Sequence, residues 1–384
     1  MIAVMSFPTR IVFGKGAVRE IPGELTGLGV KRPLVMTDRV LAGNGLLDRL
    51  TAALGEARVQ HVVFDGVDPD PTGATVERAL AAYREGACDS LVAFGGGSSI
   101  DTAKAVRLLC AHPPPLAQYD FVAEGWRLVT RPMPPMIAVP TTAGTGSEVG
   151  RGAVVTLAET GRKTIIASLA LIPSVAVCDP ELTYGLPAWL TAGTGTDTMV
   201  HSMEALWAKG FHPLADGVAR KGIELCGRHL VRAVRSGRDE EAREGMMVAA
   251  LAGATAMQKG LGPAHSLSHA LTPICGLHHG IATAIVLPAV MEFNLDAAAP
   301  QLAEIAVALG EPATGDAELL ARRGIARVRS MLREMEIPER LRDAGVKEGQ
   351  IPLLTEKAFQ DGCHLANPRA CQPPDLEAMF RAAY

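Results

Sequence analysis

The sequence predicts two domains of different class: an α/β amino-terminal domain on a parallel sheet, residues 1–184, and an all-helical carboxy-terminal domain, residues 185–384. Three observations predict it. Short β-branched runs alternate with helix-period stretches from Arg10 to about Tyr184. Beyond Leu186 the strand signal vanishes. The helical half also gathers histidines, four of the chain's ten falling between Gly260 and Gly280.

Length and composition allow this arrangement. A chain of 384 residues has ample core for each domain, and 48% apolar with 4% aromatic residues is a soluble globular composition. The formal net charge of −4, with dispersed lysines and arginines, gives no electrostatic reason to expect nucleic acid or an anionic membrane surface as partner. The seven cysteines show no Cys-x-x-Cys spacing and read as reduced thiols of a cytoplasmic protein. Cys275 alone, between His269 and His279, stays open as a ligand. Met1 to Arg10 has no basic stretch followed by an apolar one, and no window of about 18 apolar residues exists, so neither signal peptide nor membrane span is expected.

Taken in order, the expected strands are 11–14, 33–37, 59–64, 90–94, 136–139 and 175–178, the last four too apolar to have one wet face. Helical periodicity falls at 45–54, 72–86 and 100–110. Residues 154–156 and 163–167 read as a hairpin or a pair of short strands around Glu159-Thr160-Gly161. From Pro187 onward the expected helices are 188–208, 214–235, 239–258, 263–272, 280–293, 297–309, 316–334, 338–344, 348–357 and 374–383.

Parallel sheets covered on both faces bind ligands at the carboxyl ends of their strands. The turn Gly95-Gly96-Gly97-Ser98-Ser99-Ile100-Asp101 joins a buried strand to a helix whose first amides can meet a phosphate. A glycine-serine loop is also an ordinary flexible turn; its place after a buried strand favours the phosphate, with Gly96, Gly97, Ser98 and Asp101 as candidate contacts. The turn at Asp38–Gly45 lacks a Gly-x-Gly-x-x-Gly fingerprint, so this is not the ordinary Rossmann arrangement. Asp38, ending a strand, can accept from adenosine ribose hydroxyls and would repel a 2′-phosphate, which favours NAD over NADP; its other reading is a helix cap. Thr141, Thr142 and Thr145, in Pro-Thr-Thr-Ala-Gly-Thr-Gly-Ser-Glu, suit a nicotinamide or pyrophosphate face, or equally a tight connection.

In the helical half Asp197 and His201 are four apart, as are His265 and His269, so each pair leaves one helix face. His278-His279-Gly280 adds a further imidazole pair. One carboxylate with imidazole nitrogens suits Fe(II), Zn(II) or a similar ion.

These segments carry a family resemblance. Gly-Gly-Gly-Ser-Ser-Ile-Asp-Thr-Ala-Lys at 95–104, Pro-Thr-Thr-Ala-Gly-Thr-Gly-Ser-Glu-Val at 140–149, Asp179-Pro180, Thr-Gly-Thr-Asp-Thr-Met-Val-His-Ser-Met-Glu at 194–204, His265-x-x-x-His269, His279-Gly280 and Asn367-Pro368-Arg369 resemble the iron-containing (group III) alcohol dehydrogenase family over nearly the whole chain. The resemblance implies metal ligands Asp197, His201, His265 and His279, with His269 beside the nicotinamide. It maps coenzyme contacts onto Asp38, Asp70, Gly97, Ser98, Thr141, Thr142 and Lys163. It also implies a homodimer. Gly150-Arg151-Gly152 departs from the usual Thr-Arg-Phe, and Arg151 is suited to an acidic substrate group.

The expected function is a metal-dependent alcohol dehydrogenase or aldehyde reductase, passing hydride between a primary or small secondary alcohol and nicotinamide C4, with Fe(II) or Zn(II) and NAD in preference to NADP. His269 is the expected proton relay. A dehydrogenase of 4-hydroxybutyrate or another acid-ended alcohol is the alternative. A metal-dependent lyase of the dehydroquinate synthase type and a catalytically silent NAD-binding protein stand further off. The cofactor and metal are expected to face each other between the two domains.

Overall fold

A computed structural model describes residues 5, 9–157 and 162–384, so the turn expected at Glu159-Thr160-Gly161 lies outside the described residues. Two compact units result, one of residues 9–142, 146–157 and 162–183, the other of 143–145 and 184–384.

The first unit is the α/β one. Its strands β1 (Arg10–Phe13), β2 (Pro33–Met36), β3 (Val62–Phe64), β4 (Ser90–Gly95), β5 (Met136–Pro140) and β8 (Val175–Cys178) form a sheet in the order β1-β8-β5-β4-β2-β3. Every pairing is parallel, as the apolar strand runs require. β6 (Gly152–Leu157) and β7 (Arg162–Ala167) pair antiparallel as a separate two-stranded sheet. Alternate residues feed two cores. Leu34, Met36, Leu91, Ala93, Met136 and Ala138 pack under α4 (Gly73–Glu85) and α5 (Gly97–Ala111). Val35, Val92, Phe94, Ile137 and Val139 pack under α1 (Ile21–Gly27) and α3 (Asp48–Glu56). The chain runs outward from β2 to β3 and returns to the other side of β2 with β4, so the direction of winding reverses between β2 and β4. The crevice beyond that reversal is where such sheets take their ligands, and Asp38 and Gly96 stand on either side of it.

Some expectations shift. The run 59–64 yields a strand only from Val62, because Val59 N bonds Leu54 O and closes α3. β3 is an edge strand, and Val63 is 42% exposed although the run reads as buried. Apolar composition reports what a strand can bury, not whether it has neighbours on both sides. Helix α1 carries Pro22, Gly23 and Gly27, which hide its helical signal. α2 (Arg39–Gly43) has only five residues, too few to show a period.

The second unit is helical: α6 (Ala188–Trp207), α7 (Pro213–Arg235), α8 (Glu240–Ala256), α9 (Pro263–Cys275), α10 (His279–Phe293), α11 (Leu295–Ala308), α12 (Ala317–Glu334), α13 (Ile351–Gln360) and α14 (Pro373–Ala383). One core joins Met199, Met203, Ile223, Leu267 and Val286 across α6, α7, α9 and α10. The helix expected at 338–344 is instead a turn ending at Gly345, whose φ is 87°, with Val346 N bonding Leu341 O. α9 runs past Pro273, which cannot donate to His269 O, and stops at Gly276 in the left-handed region, φ 68°. Among the described residues no single helix is long and apolar enough to cross a membrane.

Candidate metal centre

Helix α6 presents Asp197 and His201 one turn apart, α9 presents His265, and α10 opens on His279. All converge on one atom. Asp197 Oδ1 stands 3.5 Å from His201 Nε2, 3.5 Å from His265 Nε2 and 3.3 Å from His279 Nε2. The His201 and His265 rings stack at 4.8 Å, and His269 stacks on His279 at 5.2 Å. Asp197, His201 and His265 are all buried.

The donor set fits a divalent cation. Metal–ligand bonds of about 2.1 Å with tetrahedral spread give donor separations of about 3.4 Å, and the three spacings to Asp197 Oδ1 match. Of these four residues only Asp197, His265 and His279 have all their ligand atoms within 4.8 Å of one another, so His201 stands further from the other imidazoles. Asp197 Oδ1 and His265 Nε2 are buried and accept or donate no hydrogen bond among the described residues. Burying such atoms without partners is costly, so a cation is the partner their chemistry asks for. Protonation agrees: burial drives His201 down to about 3 and His279 to about 4, leaving both imidazoles neutral with lone pairs available. His265 differs. Burial pushes it down, but the Glu204 and Asp197 carboxylates on either side outweigh that and raise it to about 10. Asp197 itself is pushed up by burial, yet the surrounding imidazoles hold it well below the usual carboxylate range.

His269 takes another course. Its Nδ1 donates to Asp361 Oδ2 at 2.9 Å, while Asp361 Oδ1 accepts from Ser266 Oγ and Cys363 N, each at 2.8 Å. Burial raises the Asp361 carboxyl, and His269 together with the Cys363 donors more than offsets it, holding the group ionised. Cys363 lies in the same cluster, where burial and Asp361 push its thiol far up and so favour the protonated form. Asp361 is 92 residues from His269 and no sequence spacing announces it. Cys275 stands outside both groups of clustered ligand atoms among the described residues. His278 packs edge-on against Trp189.

In the other unit Asp38, Gly96 to Ser98, and Thr141 with Thr142 follow the carboxyl ends of β2, β4 and β5, whereas Asp70 comes after β3 and Lys163 is on β7. Asp38 does cap a helix, Oδ1 accepting from Val40 N at 2.9 Å and Leu41 N at 3.0 Å, and its second oxygen keeps its acceptor capacity. Gly96 is the N-cap of α5 and Gly97 its first residue, three positions earlier than the pattern predicts, because the glycines that hide the helix also begin it. A side chain at Gly96 would sit 3.4 Å from Thr142. Thr141 N bonds Gly95 O at 3.0 Å, and Ser98 Oγ donates to Pro69 O at 2.6 Å. Asp70 pairs with Lys163 Nζ at 2.9 Å.

Asp101 turns the other way. Its Oδ1 accepts from Ser147 Oγ at 2.5 Å and its Oδ2 from Val154 N at 2.9 Å. Lys104 Nζ donates to Ser147 Oγ at 2.7 Å, Gly150 O at 2.8 Å and Gly152 O at 2.7 Å, so these two residues tie the stretch after β5 to α5. Burial lowers Lys104 to about 8 against the pull of Asp101 and Glu148. Thr145 belongs to residues 143–145, which go with the helical unit; Thr198 Oγ1 donates there to Gly144 O at 3.0 Å.

Known proteins resemble this chain over nearly its whole length. Residues 8–180 match the family described as iron-containing alcohol dehydrogenase, and residues 191–384 its carboxy-terminal part. A 4-hydroxybutyrate dehydrogenase of Cupriavidus necator is 42% identical over 99% of both chains. A 1,3-propanediol dehydrogenase of Klebsiella pneumoniae is 39% identical, covering 97% of this chain and 96% of that one. The crystal structure of a 1,3-propanediol oxidoreductase, 37% identical, superposes with a TM-score of 0.96 over the full length of both.

Proposed function

The chain belongs to the iron-containing alcohol dehydrogenase family and is an NAD-dependent, metal-dependent alcohol dehydrogenase, and we propose that Asp197, His201, His265 and His279 hold its metal. The single observation that carries this ligand set is the convergence of the three Nε2 atoms on the otherwise unbonded Asp197 Oδ1. A divalent ion held there supplies Lewis acidity toward an alcohol or carbonyl oxygen, and nicotinamide supplies the hydride acceptor.

The chain's own residues do the rest. The sheet unit is the NAD-binding domain and the helical unit the metal-binding, catalytic one. The first-turn amides of α5 at Gly97 and Ser98, with Gly96 leaving the approach open, bind the pyrophosphate. Asp38 accepts from a ribose hydroxyl through the oxygen not used in capping, which favours NAD over NADP. Thr141, Thr142 and Thr145 supply hydroxyls, and the Asp70–Lys163 pair a polar rim. Asp101 acts from behind, holding the stretch that carries these threonines.

His269 moves the alcohol's proton to water. Donating Nδ1–H to Asp361 leaves Nε2 as the accepting nitrogen. His269→Ala is expected to lower kcat by about 10–100-fold and to remove one limb of the pH-rate profile, while metal content stays at the wild-type level. An unchanged pH-rate profile would rule the relay out.

The substrate is a short primary alcohol. A second reading, an acid-ended alcohol such as 4-hydroxybutyrate, is favoured by Arg151, which is exposed and pairs with no carboxylate among the described residues. The experiment is NADH formation by protein reconstituted anaerobically with Fe(II) or Zn(II), across butanol, 1,3-propanediol and 4-hydroxybutyrate. Arg151→Ala should lower kcat/KM for the acid alone, by about 10-fold or more; an equal loss on butanol defeats the acid reading. The protein works in the cytoplasm, as its seven free thiols suggest, and forms a homodimer, as the family resemblance implies.

A further inference from the structure

We infer that Glu204 is the positioning residue of the metal centre: it selects the tautomer of His265 and holds the ring so that Nε2 faces the ion. The inference rests on the ligand set proposed above. Glu204 lies on α6, three residues beyond His201, and is wholly buried with no lysine or arginine beside it among the described residues. A carboxylate so placed is costly unless its oxygens are bonded. Three donors serve it, all from one short stretch: Gly262 N to Oε2 at 2.8 Å, Ala264 N to Oε1 at 2.8 Å, and His265 Nδ1 to Oε2 at 2.6 Å.

A purely structural role, capping the amino terminus of α9 from another helix, accounts for the two amides. It does not account for the imidazole. In the neutral imidazole that a metal requires, the proton given to Glu204 is on Nδ1, which leaves the lone pair on Nε2, the atom 3.5 Å from Asp197 Oδ1. A charged acceptor on the outer nitrogen fixes the ring's rotation and raises the donor strength of the inner one. The other two imidazoles have less. His279 Nδ1 is 3.3 Å from Ser268 Oγ, which gives its own proton to His265 O at 3.0 Å and so can only accept from His279. His201 Nδ1 is buried with no hydrogen-bond partner among the described residues. His265 is therefore the ligand that a charge holds in register. Gly262 belongs to the device, since a Cβ there would lie 2.6 Å from Glu204 Oε1.

The test is Zn(II) affinity of the metal-stripped full-length protein, measured by competition with a chromophoric chelator, alongside the thermal midpoint of the stripped protein. Glu204→Gln is expected to weaken Zn(II) binding by about 10–100-fold, and Ser268→Ala by less. Gly262→Ala keeps the charge but pushes the carboxylate end aside, and is expected to weaken binding in a stripped protein that still folds, with a midpoint lowered by the displaced carboxylate. It decides the matter if Glu204→Gln does not fold. The visible absorption of the Co(II) form should shift in both variants, which a lesion of folding alone would not cause. Wild-type affinity in a folded Glu204→Gln, or in Gly262→Ala, overturns the inference. Should Asp197→Ala also bind Zn(II) like the wild type, the ligand set itself is wrong and the inference falls with it.

Discussion

Asp197→Ala is expected to abolish metal-dependent turnover and to weaken metal binding by about two orders of magnitude or more, the scale set by removing one partner of a buried charge cluster, about 3–5 kcal/mol. The size follows from position. Asp197 Oδ1 lies within 3.5 Å of all three Nε2 donors, and Asp197 is the only anionic member of the proposed set, so its loss would remove both a ligand and the counter-charge. Added metal should raise the thermal midpoint of the wild type by mass action and leave that of Asp197→Ala where it is. Asp197→Asn separates the two contributions, because it keeps the shape and one oxygen while losing the charge. Retained metal protection in Asp197→Ala would remove these residues from the metal's first coordination sphere.

The residues of this site were legible in the sequence to the extent that chemistry repeats with helical period. Asp197/His201 and His265/His269 announce themselves at a spacing of four, and the helices they predict are the ones found, α6 and α9. The period cannot tell which member of a pair turns to the metal. His265 Nε2 faces Asp197 Oδ1 at 3.5 Å, whereas the ring of His269 stacks on His279 and its Nδ1 pairs with Asp361, from the turn after α13. Glu204 stands in a stretch whose resemblance was plain, yet its role depends on the chain returning 58 residues later to set Gly262 N against it. In the sheet unit, burial pattern gives β4, β5 and β8 cleanly, since both faces are covered there. The same reading overstates β3, whose place at the sheet edge is a property of strand order and not of composition. Asp101 shows the remaining limit: a carboxylate in a phosphate-loop sequence reads as ligand-facing, whereas its helical phase on α5 turns it toward Ser147 and Val154.

Gly280→Ala is expected to be the most damaging single methyl group that can be added near the site. A Cβ at Gly280 would overlap Gly193 O and lie 2.5 Å from the Gly193 carbonyl carbon. Those are backbone atoms of α6, so no side-chain rotation relieves the overlap and the two helices must separate. Gly193 is four residues before Asp197, on the same helix face, and Gly280 follows His279 directly. The approach of α10 to α6 that these glycines permit is the approach that brings His279 Nε2 to 3.3 Å from Asp197 Oδ1. Overpacking a core costs about 1–3 kcal/mol, and a contact that only backbone movement can relieve belongs at the upper end. Metal affinity should fall together with stability, because the displaced residue is next to a ligand. Gly217→Ala is the control: Gly217 lies within α7 with open space around it, and alanine there should stabilise by about 0.5–1 kcal/mol through helix propensity. Denaturant midpoints and metal titrations of the two variants would separate a general cost of filling glycines from the loss of this one crossing. A Gly280→Ala protein of wild-type stability and wild-type metal affinity would show that His279 reaches the site without that close approach.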